Sequence, residues 1–360
     1  MKRVRIGICG TGSIARTHAL AISRIPDAQL TAVCSRAKRN AQAFAAKYNM
    51  PNICKDHEEL AACPEVDAVL IAYPNALHFD VAMAAIRNKK AIWMEKPLTT
   101  DVMSARKLSQ VVKDSEISFN YLEELPFAPR MTKMIEAASS GAFGNVHFIR
   151  AVMRHGGPYS DWFFDRQLAG GGALMDLGCH VIENARRIKG KKAIKSVFAQ
   201  VGSFQHIQRG TLEDFSIATL TFEDGAIAQI EADWCLKAAF HSKVEIYGEM
   251  GHAVADLGQG GGILMYSQQG YGESPDRNRG YSWPSSDRVF EHGYIAQIEH
   301  CIACFRGSKT PVESIEDGLT IMEIMAAAYY SARTGKRVDL PFEPESHEFL
   351  IDLWRPPKIE

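Results

Sequence analysis

Residues 4–15 read Val4-Arg5-Ile6-Gly7-Ile8-Cys9-Gly10-Thr11-Gly12-Ser13-Ile14-Ala15. The apolar run has the character of a buried strand, breaks at Gly10, and gives way to an amphipathic pattern from about Gly12 to Ile25. A Gly-x-Gly-x-x-Ala turn thus joins a strand to a helix, the context in which this motif points to dinucleotide binding. Gly10 suits the tight turn, Gly12 puts no side chain between backbone and pyrophosphate, and small Ala15 lets the helix approach the strand. The first amides of the helix, at Ser13 and Ile14, would face the anion.

The same alternation runs on to about residue 120. Strands are expected at Val4–Ile8, Gln29–Cys34, Asn52–Ile53, Ala68–Ile71, Ala91–Met94 and Ile117–Asn120, and helices at Ala37–Tyr48, Asp56–Ala62, Ala76–Asn88 and Asp101–Asp114. That is the pattern of a parallel sheet covered by helices, with ligands at the carboxyl ends of the strands. Beyond residue 125 the runs lengthen. Asp224-Gly225 separates two alternating stretches as a hairpin turn does, and Gly248 to Gly251 separates two more, so a mostly antiparallel sheet follows. The fold class expected is α/β: a Rossmann dinucleotide-binding domain over 1–122, then an α+β domain over 123–360 with a large, open, mostly antiparallel sheet. Leu257 to Asp287, rich in Gly, Ser and Pro, reads either as a lid or as a long surface loop. Helices at Val289–Arg306 and Ser314–Thr334 are expected to close the second domain, and Pro341, Pro344, Pro356 and Pro357 to mark an extended tail.

Bulk properties narrow the partners. The 360 residues are 46% hydrophobic and 23% charged with a net charge of -1, which fits two ordinary globular domains and offers no long-range attraction for nucleic acid. No apolar run approaches a membrane span, and the reading is a cytoplasmic protein with a small-molecule partner. The eight cysteines follow no disulfide framework, and Cys301-x-x-Cys304 reads as core packing ahead of zinc or redox chemistry.

Two segments offer chemistry. Glu95-Lys96-Pro97 follows a strand directly, so Lys96 is placed where its ammonium can bond a substrate oxygen and stabilise a developing alkoxide; the alternative is a surface lysine paired with Glu95. In Gly170-Gly171-Gly172-Ala173-Leu174-Met175-Asp176-Leu177-Gly178-Cys179-His180, a glycine run opens a helix on which Asp176 and His180 stand at i and i+4. The carboxylate can then orient the imidazole for proton transfer, unless the two form only a structural hydrogen bond. No metal site is expected, because no third ligand is apparent and Lys96 would repel a cation.

Together these landmarks resemble the glucose–fructose oxidoreductase, inositol dehydrogenase and rhizopine-catabolism (Gfo/Idh/MocA) family, and the resemblance covers nearly the whole chain. It implies a nicotinamide-dependent enzyme that oxidises a sugar or cyclitol hydroxyl or reduces the matching ketone, and a homodimer or homotetramer. Lys96 and His180 are then the catalytic pair, and Asp176 holds the histidine or the substrate hydroxyl. Tyr73-Pro74-Asn75 and His78 resemble a cofactor-lining segment, with Pro74 and Asn75 at the cofactor and His78 either there or in the core. Glu95 and Lys96 also border the cofactor, and Trp162 matches a tryptophan near the nicotinamide. Two departures stand out: Phe163 replaces an arginine, and Leu122-Glu123-Glu124 replaces an aromatic-arginine element.

Where an NAD-selective domain usually carries an acid, the second strand ends in Ser35-Arg36, with Lys38 and Arg39 close behind. Ser35, Arg36 and Arg39 can meet a 2′-phosphate, so NADP(H) is favoured, with NAD(H) the alternative. Around the site, Arg154, His155, Tyr159, Trp162, Asp176 and His180 fit a neutral polyol, whereas Arg150, Arg154 and Arg166 could instead meet an anionic substrate. Glu123, Glu124 and Tyr294 are weaker pocket candidates. Three readings stay open: a dehydrogenase or reductase with exchanging cofactor, a cofactor-retaining enzyme that cleaves glycosides by transient oxidation and elimination, and a non-catalytic nicotinamide sensor.

Overall fold

The computed structural model describes residues 2–355 apart from 159, 238–239, 259–264, 268–279 and 283–286. Its first half alternates β1 (Val4–Cys9), α1 (Ser13–Ser23), β2 (Ala28–Cys34), α2 (Lys38–Tyr48), β3 (Asn52–Cys54), α3 (His57–Ala62), β4 (Ala68–Ile71), α4 (His78–Arg87), β5 (Ala91–Glu95), α5 (Val102–Ser115) and β6 (Phe119–Leu122). The six strands are parallel in the order β3-β2-β1-β4-β5-β6. Helices cover both faces, which is why Ile6, Ile8, Leu70, Ile71, Ile92 and Trp93 are all fully buried and the strands read as unbroken apolar runs. Strand order reverses between β1 and β4, and this opens the ligand crevice. The sixth strand lies two residues later than Ile117–Asn120, so Glu123 and Glu124 follow its end directly.

The second half continues through α6 (Pro129–Ser139), β7 (Val146–Arg154), α7 (Arg166–Ala169), a π-helical turn at Leu174–Gly178, α8 (Cys179–Ile188), β8 (Ile194–Gly202), β9 (Phe215–Phe222), β10 (Ile227–Asp233), β11 (His241–Gly248) and β12 (Gly251–Asp256). Then come β13 (Met265–Ser267), β14 (Gly280–Ser282), α9 (Arg288–Glu291), α10 (Tyr294–Phe305), α11 (Ile315–Thr334) and β15 (Val338–Asp339). The large sheet has the order β12-β11-β7-β10-β9-β8-β15 and is antiparallel except between β7 and β10. Both expected hairpins form, β9–β10 at Asp224-Gly225 and β11–β12 at Gly248–Gly251. Alternation along β7 buries Ile149, Ala151 and Met153 on the helix-covered face and sends Arg150 and Arg154 to the other. Within the expected lid or loop the described residues include the β13–β14 pair, and residues 259–264, 268–279 and 283–286 of it lie outside the described residues.

The closing helices do more than seal the second domain. Tyr294, Ile298, Cys301 and Ile302 of α10 share a core with β1 and α1, and α11 packs against both α5 and β8. Cys301 is therefore a core residue, and all eight cysteines are free thiols. The tail also differs from the extended segment expected. Leu350–Leu353 forms a buried 3-10 turn whose amides at Leu350 and Ile351 donate to the carbonyls of Thr100 and Gly170. Pro356 and Pro357 lie outside the described residues. Among the described residues, no helix is long and apolar enough to cross a membrane.

Candidate active site

The dinucleotide turn is shaped for its ligand. Gly10 has φ 120, and a Cβ there would stand 2.3 Å from the Ala72 carbonyl oxygen at the end of β4. A Cβ on Gly12 would meet nothing within 4 Å, so this backbone faces open space. Gly12 caps α1 without a side-chain bond, and the first turn holds no acid, which leaves the amides of Ser13 and Ile14 suited to a pyrophosphate. Ala15 is fully buried against the sheet. At the end of β2, the Ser35 hydroxyl lies 3.2 Å from that of Thr11, and Arg36 and Arg39 are exposed beside the turn. The residues thus fit a nicotinamide dinucleotide. Gly10→Ala should weaken its binding by about tenfold or more, because L residues rarely adopt this φ and the Ala72 backbone blocks the new methyl. Fluorescence titration of the cofactor checks this.

Three residues expected at the cofactor have other partners. His78 is fully buried, with Nδ1 2.9 Å from the Pro97 carbonyl and Nε2 3.0 Å from that of Tyr73, so it is a core strut. Asn75, next to buried Pro74, donates its amide to the Ala169 carbonyl at 2.8 Å and ties the end of β4 to α7. Glu95 points into the core, where its carboxylate meets His18 Nε2 at 2.6 Å and accepts the Lys96 backbone amide at 3.2 Å, while the Lys96 ammonium goes elsewhere. The partners of Asn75 and Glu95 are remote in sequence, 94 and 77 positions away, so the apolar strand ends gave no sign of them.

Lys96 turns instead to the π-helical turn, where its Nζ donates to the Asp176 carbonyl at 2.8 Å and to the carboxylate at 3.0 Å. Trp234 Nε1 donates to the other carboxylate oxygen at 3.0 Å, and His155 Nε2 stands 3.7 Å from it. Burial opposes charge on both partners of the Lys96–Asp176 pair, but the mutual attraction outweighs it. The ammonium is held well above its ordinary value and the carboxyl well below.

The i,i+4 expectation for Asp176 and His180 is corrected. Asp176 sits in a π-helical turn rather than in the α-helix that begins at Cys179, and Lys96 and Trp234 take its carboxylate. His180 Nδ1 instead meets Glu123 at 2.6 and 2.7 Å, with Glu124 at 3.7 Å. Strand register sets Glu123 beside the lysine: Glu95 pairs with Leu122, so Lys96 and Glu123 leave β5 and β6 side by side, and α8 brings His180 to them. Burial pushes Glu123 up to about 8 and Glu124 up to about 7, and pulls His180 down. Tyr294 donates to Glu124 at 3.3 Å.

Folding thus supplies the third donor that the sequence hid, since ligand atoms of Glu123, Cys179 and His180 lie within 4.8 Å of one another. The arrangement suits a proton better than a metal ion. A cation would have to part the short His180–Glu123 bond and stand near the Lys96 ammonium.

One wall of the site is aromatic. Trp162 stacks on Phe163 at 3.8 Å between centroids, Phe163 and Phe164 meet Trp234 edge-on, and Trp234 touches Asp176. Trp162 is half-buried, as a ring that packs against sugar C–H bonds must be. Arg154 does not join this wall. It lies on the open face of the sheet and pairs with Glu231 and Asp233; Arg150 also takes Glu231, and Arg166 takes Asp352. The sequence missed Trp234, whose only signal was a tryptophan just past a strand end, and underrated Glu123. Tyr159 lies outside the described residues.

A six-stranded dinucleotide fold with a buried lysine–aspartate pair and a histidine–glutamate pair defines a nicotinamide-type oxidoreductase. Comparison with known proteins agrees: the oxidoreductase family with NAD-binding Rossmann fold matches residues 4–120, and the GFO/IDH/MocA C-terminal domain matches residues 131–254. The chain belongs to the Gfo/Idh/MocA oxidoreductase family. It is 27% identical to D-glucoside 3-dehydrogenase of Escherichia coli (94% of this chain, 97% of the relative) and 26% identical to myo-inositol 2-dehydrogenase of Thermotoga maritima (94% and 98%). The crystal structure of GenD2 from gentamicin A biosynthesis, in complex with NAD, superposes with a TM-score of 0.89 at 28% identity, covering 95% of this chain and 97% of that one.

Proposed function

We propose that the chain interconverts a secondary hydroxyl and a ketone on a neutral sugar or cyclitol ring, with Lys96 and His180 acting on the substrate oxygen. The observation that carries this is the charged Lys96–Asp176 pair, set at the end of β5 next to the His180–Glu123 pair. A nicotinamide dinucleotide, when bound, supplies the two-electron acceptor or donor. Lys96 holds the substrate oxygen and stabilises negative charge on it. His180 takes the hydroxyl proton at Nε2 or returns it. Asp176 fixes the lysine, and Trp162 with Trp234 shapes the pocket.

A neutral ring fits better than an anionic one, because Arg150, Arg154 and Arg166 are engaged by Glu231, Asp233 and Asp352 while the site itself is rich in carboxyls. The names of the relatives, a glucoside and an inositol dehydrogenase, support the same class. A screen of sugars, cyclitols and glycosides with both cofactors tests it. Stoichiometric nicotinamide reduction by a neutral polyol is expected; sugar release without net reduction would favour transient oxidation and elimination, and no turnover would favour a sensor.

For the cofactor, the proposal is NADP(H), supported by Ser35 and Arg36 and by the lack of an acid at the end of β2. NAD(H) is bound by the structural relative GenD2. The ratio of kcat/KM for the two cofactors should favour NADP and fall by about tenfold in Arg36→Ala, the loss of one charge-assisted contact. A tenfold preference for NAD would contradict it.

A further inference from the structure

We infer that Glu123, rather than Asp176, is the positioning residue for His180, and that the two side chains hold and release the catalytic proton as one unit. The inference deepens the proposed function and rests on it for its kinetic arm. Both Glu123 oxygens lie within 2.7 Å of Nδ1, and the pair is sealed from water, with side chains 0 and 3% exposed. No described residue bonds the other ring nitrogen, Nε2.

With one proton in the pair, it sits on Nδ1 against an ionised Glu123 and leaves the Nε2 lone pair free. During oxidation the substrate O–H bond breaks and its proton moves to Nε2. A nicotinamide dinucleotide, when bound, would supply the acceptor for the hydride of the adjacent C–H bond, so that the carbonyl forms as the proton reaches Nε2. The imidazole then carries two protons next to a carboxylate, so the unit as a whole is neutral and no isolated cation is stranded in the interior. Reduction runs the same steps backward.

The surroundings are consistent with a unit that titrates near neutrality. Lys96 and Glu95 face it from the end of β5, and Glu124 from the end of β6. Asp176 and Cys179 approach from its own helical run, and Tyr294 and His292 from α10 and the segment before it. Burial, which pushes Glu123 up to about 8, favours the doubly protonated pair below that pH. Oxidation by the wild-type enzyme should therefore rise through about pH 8.

The test is Glu123→Gln, which keeps the shape and removes the charge, with Glu123→Asp as the conservative rescue and Asp176→Asn for comparison. For Glu123→Gln, kcat should fall about 10²- to 10³-fold with KM changed by less than about threefold. The acid limb of the pH profile should shift by a unit or more to lower pH, toward a buried histidine without a carboxylate, and Glu123→Asp should restore part of both. Nitrogen-15 NMR of cofactor-free protein, with His180 assigned from the signals missing in His180→Asn, supplies a readout independent of turnover. In wild type the ring should carry its proton on Nδ1, and its titration should lie at higher pH than in Glu123→Gln, which lacks the carboxylate. An unchanged titration and acid limb in Glu123→Gln, or a shift produced by Asp176→Asn alone, would overturn the inference. Loss of all substrates in the screen, with the NMR behaviour as stated, would instead remove the proposed function and leave the pair standing.

Discussion

Replacing Lys96 by alanine should lower turnover by about 10²- to 10³-fold, equivalent to about 3–4 kcal/mol of transition-state stabilisation. The size follows from the setting. The ammonium is mostly buried, bonded to Asp176 at both its carbonyl and its carboxylate, and held charged by that pairing. Charge on a substrate oxygen beside it is therefore stabilised by a fixed cation with little water to screen it. Cofactor binding relies on the turn at Gly10 and Gly12 and should change by less than about threefold. Steady-state kinetics with a cofactor titration separates the two. Turnover near the wild-type rate would contradict the role given to Lys96.

Gly172→Ala should produce the largest loss of stability. A Cβ at Gly172 would stand 1.8 Å from the Glu213 carbonyl oxygen and 2.8 Å from its carboxylate. Neither group can retreat. The fully buried carboxylate accepts the amides of Gly172 and Leu174 at 2.9–3.0 Å and the Tyr329 hydroxyl at 2.6 Å, so it anchors the glycine run to β9 and α11. Overpacking against backbone, with loss of these bonds, should cost about 3 kcal/mol or more and lower the melting midpoint by about 5 °C or more. Asp176 and His180 follow on the same run, so activity should fall as well. Calorimetry of the two proteins checks the first part, and a midpoint within a degree of wild type would refute it.

The dinucleotide half was legible because its signals are local. A strand–glycine–helix turn and buried apolar runs each lie within about twenty residues, and the structure shifts only the sixth strand appreciably. Lys96 was legible for the same reason, standing one residue past a strand end. The partners were not. Glu123 meets His180 across 57 positions, Trp234 reaches Asp176 across 58, and His18 reaches Glu95 across 77. Helical spacing suggested a nearer partner for His180, but a π-helical turn and a stronger cation decided otherwise. Arg154 was misread because alternation along β7 shows that it faces away from Ile149, Ala151 and Met153, not which face carries the site.

A crystal structure with nicotinamide dinucleotide and a polyol that the enzyme turns over tests the central claim most directly. Lys96 Nζ and His180 Nε2 should both lie within about 3.2 Å of one substrate oxygen, with the carbon that bears it over the nicotinamide ring. An oxygen held by other side chains, with either group turned away from it, would contradict the account.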